Sequence, residues 1–98
     1  MTLESRIEAR AVKELSRMFP PALAIKVGYK GWPDRLVLIG PQRVLWFEFK
    51  QPGGRVAPIQ KIRHKELRSF GHQVEIITDW KQAVAYVASA RRAYKNSK

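Results

Sequence analysis

Gly31-Trp32-Pro33-Asp34-Arg35-Leu36-Val37-Leu38-Ile39-Gly40-Pro41-Gln42-Arg43-Val44-Leu45-Trp46-Phe47-Glu48-Phe49-Lys50 reads as two apolar strands around a turn. Arg35 to Ile39 and Val44 to Lys50 are rich in Leu, Val, Ile and Phe, and Gly40-Pro41-Gln42 between them suits a tight hairpin. A three-residue loop pairs Ile39 with Arg43, and the same register sets Asp34 opposite Glu48. Side chains alternate along a strand, so Asp34, Glu48 and Lys50 share a face, with Glu48 and Lys50 about 6.5 to 7 Å apart. Leu36, Leu38, Val44 and Trp46 make that face apolar. Val37, Ile39, Leu45, Phe47 and Phe49 do the same for the other, so the ribbon is expected to be buried on both sides. Ionisable groups at the edge of such a ribbon cost desolvation unless they are paired or bind something. Two readings are open at this level: a structural ion pair of Lys50 with Glu48 or Asp34, or a functional site.

Upstream, Leu3, Ile7, Ala11, Leu15 and Met18 recur at helical spacing, which predicts a helix over about 3–19 that Pro20-Pro21 ends. Arg6, Arg10, Lys13 and Arg17 fall on its far side, either as a solvated surface or as a track for phosphates. Glu4 lies near the middle of the apolar stripe and Glu8 at its margin. Both acids suit the positive end of a helix; alternatively, Glu4 reaches the Asp34 and Glu48 pair as a further ligand. Ala24 to Val27 is a short strand closed by Gly28. Residues 29–33 form the loop that delivers Asp34, stiffened by Pro33. Trp32 in that loop is either buried or available to stack on a base.

Downstream, Gln51-Pro52-Gly53-Gly54-Arg55-Val56-Ala57 reads as a flexible loop. Pro58 then takes the first position of a helix that runs to Phe70 and is closed by Gly71. Its expected seam is narrow, with Ile59, Ile62 and Phe70 on the side of Arg63 and Glu66. Lys61, Lys65 and Arg68, at i, i+4 and i+7, form a basic row that is either solvated or set along phosphates. Gln73 to Ile77 is a last strand, and Thr78 is the expected cap of a third helix over about 79–94. Trp80, Ala83, Val84, Val87 and Ala90 or Arg91 lie along one side of that helix. The basic tail from Arg91 to Lys98 is expected to fray. His64 and His72 lack the spacing of a metal site and receive no role. The order helix, three strands, helix, strand, helix predicts an α/β fold with a mixed sheet and helices on both faces.

The 98 residues suit one domain over 1–98 with a single core. With no cysteine, disulfides and thiolate zinc sites are excluded. The start of the chain lacks a signal-peptide core, and no apolar run reaches the roughly 18 residues of a membrane span. A soluble, intracellular protein is expected. Nineteen Lys and Arg against eight Asp and Glu give a net charge of +11, which calls for a polyanionic partner. Nucleic acid comes first, although a membrane surface or ribosomal RNA satisfies charge alone.

Pro33-Asp34, followed after residues 35 to 47 by Glu48-Phe49-Lys50, resembles the PD-(D/E)XK nuclease superfamily in this element order. More narrowly, Gly31-Trp32-Pro33-Asp34-Arg35-Leu36, Phe47-Glu48-Phe49-Lys50-Gln51-Pro52-Gly53-Gly54 and Gln60 resemble the virus-type replication-repair nuclease domain, VRR-NUC, as a stand-alone member. The resemblance implies a restriction-endonuclease-like fold and a structure-selective DNA endonuclease. Its cofactor is expected to be Mg²⁺ or Mn²⁺, held by Asp34, Glu48, the backbone carbonyl of Phe49 and a helix-one acid. Glu4-Ser5-Arg6-Ile7-Glu8 is similar to the family's opening and favours Glu4 for that acid, with Glu8 as the alternative.

By the same resemblance, Lys50 would orient the attacking water and stabilise charge on the phosphate, and Gln60 would position Lys50 or the phosphate. Gly53 and Gly54 would let the loop approach the DNA backbone, with Arg55, Lys61, Lys65 and Arg68 completing the DNA-binding surface. Members of this kind resemble Holliday-junction resolvases, which implies a homodimer on branched DNA in replication, recombination or repair. The setting would be the cytoplasm of a bacterium or a phage-infected cell. A flap or single-strand DNA nuclease is the alternative within the fold. A non-catalytic DNA-binding protein or a basic RNA-binding protein is the alternative outside it, and neither accounts for the acid cluster.

Overall fold

The computed structural model describes residues 1–96. Thr2 opens the first helix, its hydroxyl accepting the Ser5 N–H at 3.0 Å. The helix, α1, spans Leu3–Met18 and is followed by β1 (Leu23–Lys26), β2 (Arg35–Gly40), β3 (Arg43–Phe49), α2 (Pro58–Ser69), β4 (Gln73–Ile77) and α3 (Trp80–Asn96). This is the expected element order. The sheet runs β1-β2-β3-β4, antiparallel except for the parallel β3/β4 pair that the α2 crossover joins.

The hairpin register is the one read from the sequence: Arg35 faces Phe47, Leu36 faces Trp46 and Leu38 faces Val44. Its turn differs from expectation. Gly40, not Ile39, pairs with Arg43, and the ladder shifts between Leu38 and Gly40. The loop is therefore Pro41-Gln42, and a bulge at Ile39 absorbs the extra residue while keeping that side chain in the core. Gln42 takes φ +58 after Pro41, the pattern of a type II turn.

The two faces of the ribbon lead to two clusters. Val37, Ile39, Leu45, Phe47 and Phe49 pack with Ala11 and Leu15 of α1 and with Ala83 and Val87 of α3. The small Ala11 and Ala83 leave room for both helices over the sheet. On the opposite face Trp46 and Val74 meet Leu67 of α2, with Trp32, Leu36 and Val44 beside them. Helices thus cover both faces.

The seam of α2 departs from expectation. His64 and Leu67 are its buried residues, whereas Ile59, Ile62 and Phe70 are exposed. Arg68 also differs, donating to the Val74 carbonyl at 2.8 Å and so being tied to β4. Helix α3 begins one residue later than read, so its cap is Asp79, whose carboxylate accepts the Lys81 N–H at 2.9 Å. Thr78 instead pairs with the Gln82 side chain. Helix α3 continues through Asn96, so the tail expected to fray from Arg91 is helical that far; Ser97 and Lys98 lie outside the described residues.

Candidate active site

Four segments meet at one end of the sheet's central strands: the start of α1, the residue before β2, the end of β3 and the first turn of α2. Asp34 is fixed first. The β2 ladder begins at Arg35, so the Phe49 N–H has no strand partner there and donates instead to Asp34 Oδ2 at 2.7 Å. The Asp34 carbonyl accepts the Val27 N–H at 2.9 Å, which closes the loop that carries the acid. Lys50 N–H donates to the Ile77 carbonyl at 2.9 Å, extending the β3/β4 pairing to the site's edge.

Carboxylate oxygens of Glu4, Asp34 and Glu48 all lie within 4.8 Å of one another. Lys50 Nζ stands 3.5 Å from Glu48 Oε2 and 4.0 Å from Glu4 Oε1. Gln60 Nε2 donates to Glu48 Oε2 at 3.0 Å, while Gln60 Oε1 accepts the Ala57 N–H that opens α2. Gln60 therefore bonds the same Glu48 oxygen that Lys50 faces. The other helix-one acid is elsewhere: Glu8 binds Lys26 at 2.8 Å and Arg35 at 2.7 Å. The geometry places Glu4, not Glu8, in the cluster.

Glu48 is 1% exposed. Burial first, then the charge of Asp34, pushes its carboxyl up to about 8, against the opposing pull of Lys50. Its Oε1 is buried without a hydrogen-bond partner and lies 3.7 Å from His64 Nε2, which is orphaned too. Crowding three carboxylates around one lysine costs energy that a bound cation would offset. Oxygen donors of this kind, with one buried oxygen unclaimed, fit Mg²⁺ or Mn²⁺.

The sequence reading missed His64, which is 2% exposed against Glu48. The usable signal was its spacing, one turn after Gln60 and one turn before Leu67 on the same helical face. Of the expected DNA-facing residues, Arg55, Lys61 and Lys65 are exposed. Gly53 takes φ +78 after Pro52, and the Gly54 N–H closes that turn on the Gln51 carbonyl at 2.8 Å. At Gly54 a Cβ would sit 2.9 Å from that carbonyl oxygen, so this position is closed to other residues without rearrangement.

No family model matches the sequence. The fold is that of the VRR_NUC domain: a solved structure of that description superposes with a TM-score of 0.76 at 24% identity, covering 90% of this chain and 97% of that one. A second relative is the protein named "Putative nuclease p44" of Acyrthosiphon pisum secondary endosymbiont phage 1. It is 33% identical over 75 residues, 76% of this chain and 81% of that protein. The chain belongs to the family of this phage protein. Among the described residues no helix is long and apolar enough to cross a membrane.

Proposed function

We propose that this chain is a divalent-cation-dependent, structure-selective DNA endonuclease that acts on four-way junctions as a two-fold homodimer. The observation that carries the reading is the convergence of Glu4, Asp34, Glu48 and Lys50 at the end of the central strands in a chain of net charge +11. Kinship with a phage protein named as a nuclease supports the reaction class.

Glu4, Asp34, Glu48 and the Phe49 carbonyl would hold Mg²⁺ or Mn²⁺. When bound, the ion neutralises charge and acts as a Lewis acid at the phosphodiester. The residues of the chain do the rest. Lys50, held between Glu48 and Glu4, orients the attacking water and stabilises charge that develops on the phosphate oxygens. Gln60 holds the Glu48 carboxylate from the α2 side, and buried His64 lies 3.7 Å from its other oxygen. Arg55, Lys61 and Lys65 contact the phosphate backbone, and the tight Gly53-Gly54 turn brings the loop close to it. Two copies related by symmetry would place two sites on two opposed strands of the four in a junction.

Labelled four-way junction, flap, splayed and linear duplex DNA incubated with Mg²⁺ or Mn²⁺ tests the reading. Paired, symmetric nicks in the junction are expected. Cleavage chiefly of flaps or single strands would keep the nuclease and discard the resolvase. No cleavage of any substrate with either ion would overturn both.

A further inference from the structure

Three large apolar side chains beside the site face solvent: Tyr29 is 73% exposed, Ile62 61% and Ile59 44%. They are not a disordered fringe. The Tyr29 ring leans on Trp32 at 6.4 Å, and Trp32 rests on Trp46 of β3 at 5.6 Å. The Arg63 guanidinium covers Trp32 at 5.0 Å. The outermost ring is thus mounted on a stack that reaches the sheet.

Gly31, at φ +86, brings the same loop down onto α2, where a Cβ would sit 2.9 Å from Ile59 Cγ1. Ile62 follows Ile59 by three positions and so neighbours it on the helix surface. Ile59 and Ile62 lie off the buried side of α2, which His64 and Leu67 form.

Their position ties them to the chemistry. The loop that bears Tyr29 ends in Asp34, and Ile59 immediately precedes Gln60, whose amide contacts Glu48. Basic residues interleave with the apolar ones: Lys30 follows Tyr29, and Lys61 separates Ile59 from Ile62. Both lysines are exposed, and neither makes an ion pair among the described residues. An apolar surface set among free ammonium groups matches a base face flanked by phosphates. Continuous duplex hides its base faces, whereas a branch point whose arms unstack exposes the faces of its terminal pairs.

We propose that Tyr29, Ile59 and Ile62 form a ridge that stacks on the exposed base faces of a DNA branch point, with Lys30 and Lys61 on the adjoining phosphates. The inference rests on the nucleic-acid reading of the neighbouring site and names the feature of the substrate that this site selects.

The test is binding in Ca²⁺ of four-way junction and linear duplex, with 2-aminopurine at the branch. Wild type, Tyr29→Ala, Tyr29→Phe, Ile62→Ser and Lys61→Ala are compared, with far-UV circular dichroism as the folding control. Wild type should change the 2-aminopurine emission. Tyr29→Ala and Ile62→Ser should each weaken junction binding by about ten-fold, in the range of one lost base stack, with duplex binding nearly unchanged. Tyr29→Phe should restore junction binding, and Lys61→Ala should weaken both substrates alike. Equal losses on junction and duplex from Tyr29→Ala and Ile62→Ser, or no emission change on wild-type binding, would overturn the ridge. If wild type shows the junction-selective effects in Ca²⁺ yet cuts nothing in Mg²⁺ or Mn²⁺, the nuclease reading fails and the ridge stands.

Discussion

At the end of β3, burial and the neighbouring Asp34 charge raise the Glu48 carboxyl from its ordinary 4.5 to about 8, while Lys50 opposes the shift. The metal-free folded chain therefore holds a proton that the unfolded chain releases. The stability this contributes is complete below pH 4.5 and is lost as the pH rises through about 8. His64 works in the other direction. Burial first, then the charges of Arg68 and Lys50, lower its pKa from 6.5, so its contribution is complete above that value and is lost as the pH falls. The two effects compete below pH 6.5, and Glu48 acts alone above it. Thermal melts in chelator should fall between about pH 7 and 8, and Glu48→Gln should flatten that decline. Mn²⁺ should raise the melting temperature more at pH 8 than at pH 6, because it displaces the Glu48 proton. A metal-free stability that rises from pH 7 to 8 would refute the assignment. Gln60→Ala removes a bond to the same carboxylate and should weaken Mn²⁺ binding by about 10- to 100-fold, measured by titration calorimetry. At this scale Asp34, Glu48 and Lys50 were legible because strand alternation alone puts them on one face. His64 was not, since its partner comes from a different element and helical spacing marks a shared face without naming the group that face meets.

Elements were legible in proportion to how fully they are buried. Strands β2 and β3 carry apolar residues on both faces, so pattern and register agree, and only the bulge at Ile39 escaped because Gly40-Pro41-Gln42 allows two loop lengths. Helix α2 shows the opposite case. Its core contact rests on Leu67 and two polar side chains, Gln60 and His64, while its isoleucines face outward. Hydrophobic spacing therefore selected the wrong side. The consequence is measurable: Leu67→Ala should cost about 2–5 kcal/mol by chemical denaturation, whereas Ile62→Ser should change stability by about 0.5 kcal/mol or less. Similar losses from both would restore the seam that hydrophobicity alone suggests. The same orientation leaves Gln60 and His64 on the site and Ile59 and Ile62 free for a ligand.

For the whole molecule, nineteen basic residues stand against eight acidic ones, and three of those acids gather in one site. On the proposed function, the basic surface would gather DNA, and a cation at the acid cluster would offset its charge toward an approaching phosphate. DNA binding in Ca²⁺ should accordingly weaken linearly in log–log plots against salt, and Lys61→Ala should reduce the slope by about 1. An unchanged slope would remove Lys61 from the phosphate contacts. The family relationship spans most of the chain and the VRR_NUC fold nearly all of it, so these features belong to one architecture. The most direct test of the central claim is strand cleavage of junction DNA in Mn²⁺ by wild type, Asp34→Ala and Lys50→Ala, with binding followed separately in Ca²⁺. Wild type should cut and stop cutting in chelator, and each variant should lose about 100-fold or more in rate while still binding DNA. Cleavage that survives Asp34→Ala, or that proceeds in chelator, would contradict the account.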